Sequence, residues 1–221
     1  MAMPDQTGTV VVLDLDDTLY KEADYHASGL AAVCLWLGTL YGKSCQVALK
    51  NLEDSGETDL LAGLCRLAGL PLSVKESLLW VYRLHEPKIE LAASTKGVLN
   101  HLQGKHRVAI LTDGRSVSQR LKLKALGLSQ LPAYISEDHG ADKPSPLRFE
   151  LIMRDMPAAG YVYVGDNPKK DFVAPNSLGW LTIGLRDDGR NIHKQNLSNL
   201  VQEQLPSFWI DSLEELLTNL C

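Results

Sequence analysis

Nothing in the 221-residue chain approaches the run of ~20 apolar residues that a membrane-spanning helix needs. The opening MAMPDQTGTVVVLDLDD lacks the charged, apolar and small-residue order of a secretory signal. Cysteine is scarce. Cys34, Cys45, Cys65 and Cys221 form neither a CxxC pair nor a zinc-ligand spacing, and scattered cysteines of this kind are expected to be reduced, buried or chemically idle. No Lys/Arg-rich run stands out, and 22 Lys+Arg stand against 27 Asp+Glu for a net charge of −5. A nucleic-acid backbone is therefore a poor partner. Internal repeats and low-complexity tracts are absent too. The expectation is a cytoplasmic protein with neither a nucleic-acid nor a membrane partner, and nothing indicates an oligomer.

What is present is ordinary for a folded chain: 45% hydrophobic and 22% charged residues, with 17 Gly and 10 Pro. Short apolar runs rich in β-branched residues predict strands at Thr9–Leu15, Val108–Thr112, Tyr134–Ser136, Tyr161–Gly165, Trp180–Gly184 and Phe208–Ile210. Several are continuous rather than alternating, as parallel strands covered on both faces require. Helical stretches at about 116–126, 146–156 and 170–178 separate the later strands, which implies a doubly wound, mostly parallel α/β sheet of Rossmann-like type. The interval 20–93 holds no convincing strand. It reads as helices at Glu22–Tyr41, Cys45–Asp54, Thr58–Ala68 and Val74–His85, with Trp36, Leu37, Leu78, Leu79 and Trp80 as their core. The expected organisation is a core of residues 1–19 and 94–221 with a helical domain, 20–93, inserted into it. The polar stretch Arg186–Gln204 reads as a long surface loop with a short helix.

In open α/β sheets the ligand crevice lies beyond the carboxyl ends of the strands, so the residues ending each apolar run are the informative ones. The first run ends in Asp14-Leu15-Asp16-Asp17-Thr18, the second in Thr112-Asp113-Gly114, and the fourth in Gly165-Asp166, with Asp171 five residues on. Lys143-Pro144-Ser145-Pro146 lies between them. Asp14 and Asp16, two apart, face the same way on an extended chain, and a bound hard cation such as Mg2+ relieves their repulsion. An acidic turn after a strand fits the same two residues. Thr112 offers a hydroxyl, and the glycine turn with free amides suits a phosphate oxygen, although a Thr-Asp-Gly turn without a ligand is as simple. Lys143 stands at a helix start marked by Ser145 and Pro146, where its ammonium can neutralise carboxylates and a phosphate. Asp171 suits either a site role or a helix cap, and Asp17 a turn or helix start.

Taken in order, these clusters resemble the four motifs of the haloacid dehalogenase superfamily of phosphohydrolases. DxDxT is met by Asp14-Leu15-Asp16-Asp17-Thr18, the strand-terminal Thr/Ser by Thr112, the lysine motif by Lys143-Pro144, and GDxxxxD by Gly165-Asp166 with Asp171. The helical interval is similar to the C1-type cap of subfamily I. The resemblance implies Asp14 as the nucleophile that becomes an aspartyl-phosphate, and Asp16 as general acid and then base. Crowding by carboxylates is expected to raise the pKa of Asp16. Thr112, Asp113 and Gly114 would bind the phosphoryl oxygens, and Lys143 would offset charge. Mg2+ would sit on Asp14, the Asp16 carbonyl and Asp166, with Asp171 supporting from behind. A phosphate dianion meeting these carboxylates is repelled by ~4 kcal/mol per close pair at intermediate dielectric, so a metal and a lysine are needed.

Asp16 also separates branches of the family: halide leaves without protonation, and the dehalogenases generally lack the second aspartate. Two departures stand out. Asp113 takes the place of the usual Asn or Ser and adds charge beside the phosphate seat, and Pro175 is expected to delay the helix after Asp171. The expected function is a Mg2+-dependent phosphatase acting on a small phosphomonoester, a sugar phosphate or nucleoside monophosphate. A phosphomutase with the same phosphoaspartate chemistry, or a binding module that keeps the fold without turnover, are the alternatives. Lys21, Tyr25, His26, Lys43, His85, Lys88 and Arg115 are candidate contacts to a leaving group, each with a solvated or structural role as the simpler reading.

Overall fold

A computed structural model describes residues 8–220. The first seven residues and Cys221 lie outside the described residues. The elements run β1 (Thr9–Leu13), α1 (Glu22–Tyr41), α2 (Gln46–Asp54), α3 (Leu60–Leu67), α4 (Val74–Leu84), α5 (Ala93–Lys105), β2 (Arg107–Thr112), α6 (Ser116–Ala125), β3 (Ala133–Ile135), α7 (Ser136–His139), α8 (Leu147–Asp155), β4 (Gly160–Gly165), α9 (Val173–Ser177), β5 (Leu181–Leu185), β6 (Phe208–Ile210) and α10 (Leu216–Asn219). The chain divides into two compact units, Met1–Ala23 with Glu90–Cys221, and Asp24–Ile89.

The first unit is built on a six-stranded sheet ordered β3-β2-β1-β4-β5-β6, with every pairing parallel. This is the doubly wound α/β arrangement that the continuous apolar runs require. β1 is central, and Val10, Val11, Val12 and Leu13 are all at most 1% exposed because helices cover both faces of the sheet. Phe149 of α8, Phe172 and Trp180 pack on Tyr163 and Val12 to fill one side. Helix α5 was not part of the sequence expectation. Thr95, Val98, Leu99 and Leu102, spaced three or four apart, form its buried stripe, but Gly97, Gly104 and polar residues interrupt the signal. α9 begins at Val173, about three residues after the expected start near 170 and two residues before Pro175. The proline ring occupies the first turn, where a backbone N–H has no helical acceptor to lose. α8 starts one residue later than its Ser-Pro signal, with the Leu147 amide donating to Ser145 Oγ at 3.4 Å.

The second unit is helical throughout, and Val33, Cys34, Leu37, Cys45, Leu64, Cys65 and Leu78 make its core. Trp36 and Trp80 are not in that core: they are 47% and 52% exposed, and Leu79 is half-buried. Neighbouring positions on a helix point ~100° apart, so a buried Leu37 turns Trp36 outward, and Leu78 does the same to its neighbours. Cys34 and Cys45 are bridged rather than free, and Cys65 is buried and unbridged. The bridge depends on the reversal after α1 through Gly42, which takes φ +65° and brings the two Cα atoms to 5.4 Å. Sequence spacing carries no signal for that approach. Among the described residues, no helix is long and apolar enough to cross a membrane.

Candidate active site

Leu13, the last residue of β1, pairs with Ile110 on one side and Val164 on the other, two residues before the end of β2 and one before the end of β4. Asp14, one step beyond Leu13, donates its amide to Val164 O at 2.9 Å and stands beside the Gly165-Asp166 turn. Thr112 ends β2 one strand away. The switch in strand order on either side of β1 opens a crevice at these carboxyl ends, as it does generally in such sheets. A cleft of about 390 Å³ lies there, lined by Asp14, Asp16, Thr112, Asp113, Gly114 and Asp166 among others.

Lys143 Nζ lies 2.8 Å from Asp14 Oδ2, 2.8 Å from Asp171 Oδ1, and 3.0 Å from the Tyr163 hydroxyl. All four side chains are buried. Gly165 makes the approach of Asp171 possible, because a Cβ there would fall 2.5 Å from Asp171 Oδ2. Burial works against the Lys143 ammonium, yet Asp14 and Asp171 hold its pKa well above the ordinary lysine value. Asp14 rises to about 6: burial is the main cause, Lys143 opposes it, and Asp171 adds to it. Lys143 divides its charge between two carboxylates, so it gains from both while Asp14 receives only a share. Asp166 is pushed up to about 8 by burial and then by Asp171 and Asp14.

Asp14, Asp166 and Asp171 each present an oxygen within 4.8 Å of the other two. Asp14 and Asp171 share the Lys143 ammonium while Asp166 stands close by, and burial with mutual repulsion raises the pKa of the two carboxylates that line the cleft. An all-oxygen donor set of this charge fits a hard divalent cation such as Mg2+. Asp171 is fully buried and behind the cleft wall, and its Oδ2 accepts the Asn167 amide at 2.7 Å. It orients Lys143 rather than capping α9.

Asp16 departs from its expectation. Lys122 Nζ, on α6, reaches both of its oxygens at 2.8 and 2.9 Å, Gln119 Nε2 donates to Oδ2 at 2.9 Å, and the Tyr20 hydroxyl donates to Oδ1. Burial, the largest single effect, would raise its pKa, but Lys122 together with the hydrogen bonds from Tyr20 and Gln119 outweighs it, and the carboxyl lies below the usual range. The neighbouring acids do not set the pKa of Asp16, because a lysine 106 residues away in sequence lies against it.

The turn after β2 also differs from expectation. Asp113 does not leave a bare charge there: Arg148 pairs with its Oδ1, Lys170 lies 3.3 Å from Oδ2, and its pKa falls because Lys143, Lys170 and Arg148 together exceed the effect of burial. Arg148 is fully buried, and donates to Thr112 O at 2.8 Å and Tyr134 O at 3.2 Å. Gly114 takes φ +136°, a region that suits glycine. Its amide donates to Ser136 Oγ at 2.9 Å rather than standing free. Asp17, at φ +56°, accepts from the Glu22 amide at 3.0 Å and so starts α1.

Sequence reasoning missed Lys122, Gln119, Arg148, Tyr163, Lys170 and Asn191. The Q-x-x-K spacing of Gln119 and Lys122 on one helix face was available as a signal, and so was a basic residue following the Gly165-Asp166 turn. Arg148 and Asn191 carried none. Of the candidate leaving-group contacts, Tyr25 and His85 are buried inside the helical unit, with the His85 ring 3.0 Å from Ser28 Oγ. Lys21 pairs with Asp188 and Arg115 with Glu137.

Residues 9–179 match the sequence profile of the haloacid dehalogenase-like hydrolases. No curated protein sequence is significantly similar to the chain. Among solved structures, the magnesium-bound HAD-hydrolase YfnB of Bacillus subtilis aligns with TM-score 0.66 at 20% identity, covering 96% of this chain and 98% of that one. The 2-haloacid dehalogenase of Pseudomonas syringae pv. Tomato aligns at 0.64 and 21%, covering 96% and 98%. A HAD phosphatase from Thermococcus onnurineus aligns at 0.62 and 24%, covering 96% and 97%. At these identities the likeness is one of fold.

Proposed function

The chain belongs to the haloacid dehalogenase-like hydrolases, and from that premise we propose that it is a Mg2+-dependent phosphatase of small cytoplasmic phosphomonoesters, sugar phosphates or nucleoside monophosphates. One observation carries the reading: Asp14, paired with Lys143, and Asp166 line one cleft with oxygens within 4.8 Å of each other, and a second acid, Asp16, lines it with them. A halide needs neither the proton that Asp16 can carry nor the divalent site. The helical unit Asp24–Ile89 takes the cap's part in choosing the leaving group.

Bound between Asp14 and Asp166, Mg2+ would supply charge neutralisation to the phosphoryl oxygens. Asp14 attacks phosphorus as a carboxylate; the P–O bond to the alcohol breaks and an acyl phosphate forms on Asp14. Lys143, already salt-bridged to Asp14, favours the ionised form of the nucleophile against the effect of burial and offsets the charge that accumulates on the phosphoryl group. The leaving oxygen needs a proton, and Asp16 is assigned to give it after taking one from solvent, against the pull of Lys122 towards its anion. Water then attacks phosphorus, passes its proton to Asp16, and releases phosphate and free Asp14. The donors around Asp16 favour its anion, the form the second step uses. Thr112 offers its hydroxyl to the phosphoryl group.

The test is phosphate release from a panel of sugar phosphates and nucleoside monophosphates, with Mg2+ and with EDTA. Release from at least one class, abolished by EDTA, is the expected result. Chloride release from a 2-chloro acid with no phosphate released from any ester would overturn the reading.

A further inference from the structure

The polar stretch after β5 does more than connect strands. Asp187 knits it into a compact turn, its Oδ1 accepting the amides of Gly189 at 2.7 Å and Asn191 at 3.0 Å. From that turn Asn191, only 3% exposed, donates its side-chain amide to Asp166 Oδ2 at 2.9 Å. Its own carbonyl oxygen accepts Lys21 Nζ at 2.8 Å, which leaves the amide no freedom to flip. Gln195 Nε2 donates to the backbone oxygens of both Asp166 and Leu185. The Ile192 amide reaches Asp17 Oδ2 at 2.9 Å. Residues 187–195 are thus fastened to the turn after β1 and the turn after β4, the two strand ends that carry Asp14 and Asp166.

We propose that this segment is a strap that presets the divalent-ion site, with Asn191 the positioning residue that fixes the Asp166 carboxylate and Lys21 the residue that fixes Asn191. The inference rests on the metal-site reading above. A buried carboxylate with no side-chain donor can rotate, and the ion must then order it on binding. With Asn191 holding Oδ2 and Thr18 Oγ1 3.3 Å from Oδ1, that ordering is already present before the ion arrives. Partners that orient a metal ligand in this way are worth about 10–100-fold in affinity. The segment reads as solvated loop in sequence because its polar residues bond to the site rather than to water.

The experiment is Mn2+ binding to the full chain without substrate, followed by the electron paramagnetic resonance signal of free Mn2+. Wild type, Asn191→Ala and Lys21→Met are compared, with the circular dichroism of each variant recorded beside the titration. The expected result is Kd weakened about tenfold or more in Asn191→Ala and by a smaller factor in Lys21→Met, with spectra unchanged. Should Asn191→Ala fail to fold, Lys21→Met carries the decision, because its Asn191 and Asp166 remain in place. Tight binding by wild type and equally tight binding by the folded variants overturns the strap and leaves the phosphatase reading standing. No Mn2+ binding by wild type overturns the metal site, and the strap with it.

Discussion

Lys122 Nζ grips both oxygens of Asp16, at 2.8 and 2.9 Å, across 106 residues of chain. The pair joins the second acid of the β1 turn to the helix that follows β2, and favours the anion of a residue whose proposed chemistry depends on its protonation. In Lys122→Met the depressing charge is gone while burial remains, so the Asp16 pKa rises. The acid limb of kcat, set by Asp16 acting as base towards water, is expected to move to higher pH. Asp16 contributes stability above its unfolded pKa that is lost as pH falls through its lower folded value; the variant loses that contribution, on the order of 2 kcal/mol near neutral pH. Rate–pH profiles and urea unfolding at two pH values check both. A profile superimposable on wild type would show that Lys122 does not govern Asp16.

Metal removal has a pH signature of its own. Asp14 and Asp166 titrate near 6 and 8 in the fold, raised by burial, against about 4 for an unfolded carboxylate. Between pH 4 and 8 these two carboxyls therefore hold more protons in the folded metal-free chain than in the unfolded one, and their contribution to stability falls as pH rises through that window. Mg2+ is expected to restore what is lost. The Tm difference between Mg2+ and EDTA should be small at pH 5 and grow towards pH 8, reaching the equivalent of about 3 kcal/mol when Mg2+ is at 100 times its Kd. A difference that shrinks with pH would contradict this placement of the charges.

Arg148 is a fully buried cation whose partners are Asp113, Thr112 O and Tyr134 O. Arg148→Met leaves two carbonyls without that donor and a carboxylate without its main partner. A loss of about 3–5 kcal/mol in chemical denaturation is expected. Asp113→Asn keeps the shape but not the charge, and leaves Arg148 buried and uncompensated apart from its carbonyl partners. It is therefore expected to destabilise even though Asn is the commoner residue at that position in the resembled motif. An Asp113→Asn variant as stable as wild type would mean that the Arg148 pair contributes nothing.

How far the sequence carries depends on whether a signal is local. Val10–Leu13, Ile110 and Val164 declare buried parallel strands by composition alone, and Asp14, Thr112 and Asp166 declare themselves by ending those strands. The order of the strands then brings them to one cleft. Elements whose partners are distant stayed hidden. Asp16 reads as a crowded acid until Lys122 is beside it, Asn191 reads as loop until it meets Asp166, and Cys34 reads as idle until the turn at Gly42 brings Cys45 to it. Trp36 and Trp80 failed for a different reason: apolarity was legible, but the helix face that the core selects was not.

The most direct measurement is mass spectrometry of the acid-quenched protein after brief mixing with Mg2+ and a turned-over phosphomonoester. The account expects a phosphoryl adduct mapped to the peptide containing Asp14 in wild type, its accumulation in Asp16→Asn when the ester carries a leaving group that needs no proton, so that only hydrolysis of the adduct is slowed, and its absence in Asp14→Asn together with phosphate release. Phosphate release that persists undiminished in Asp14→Asn, with no adduct on that peptide in any variant, would contradict it.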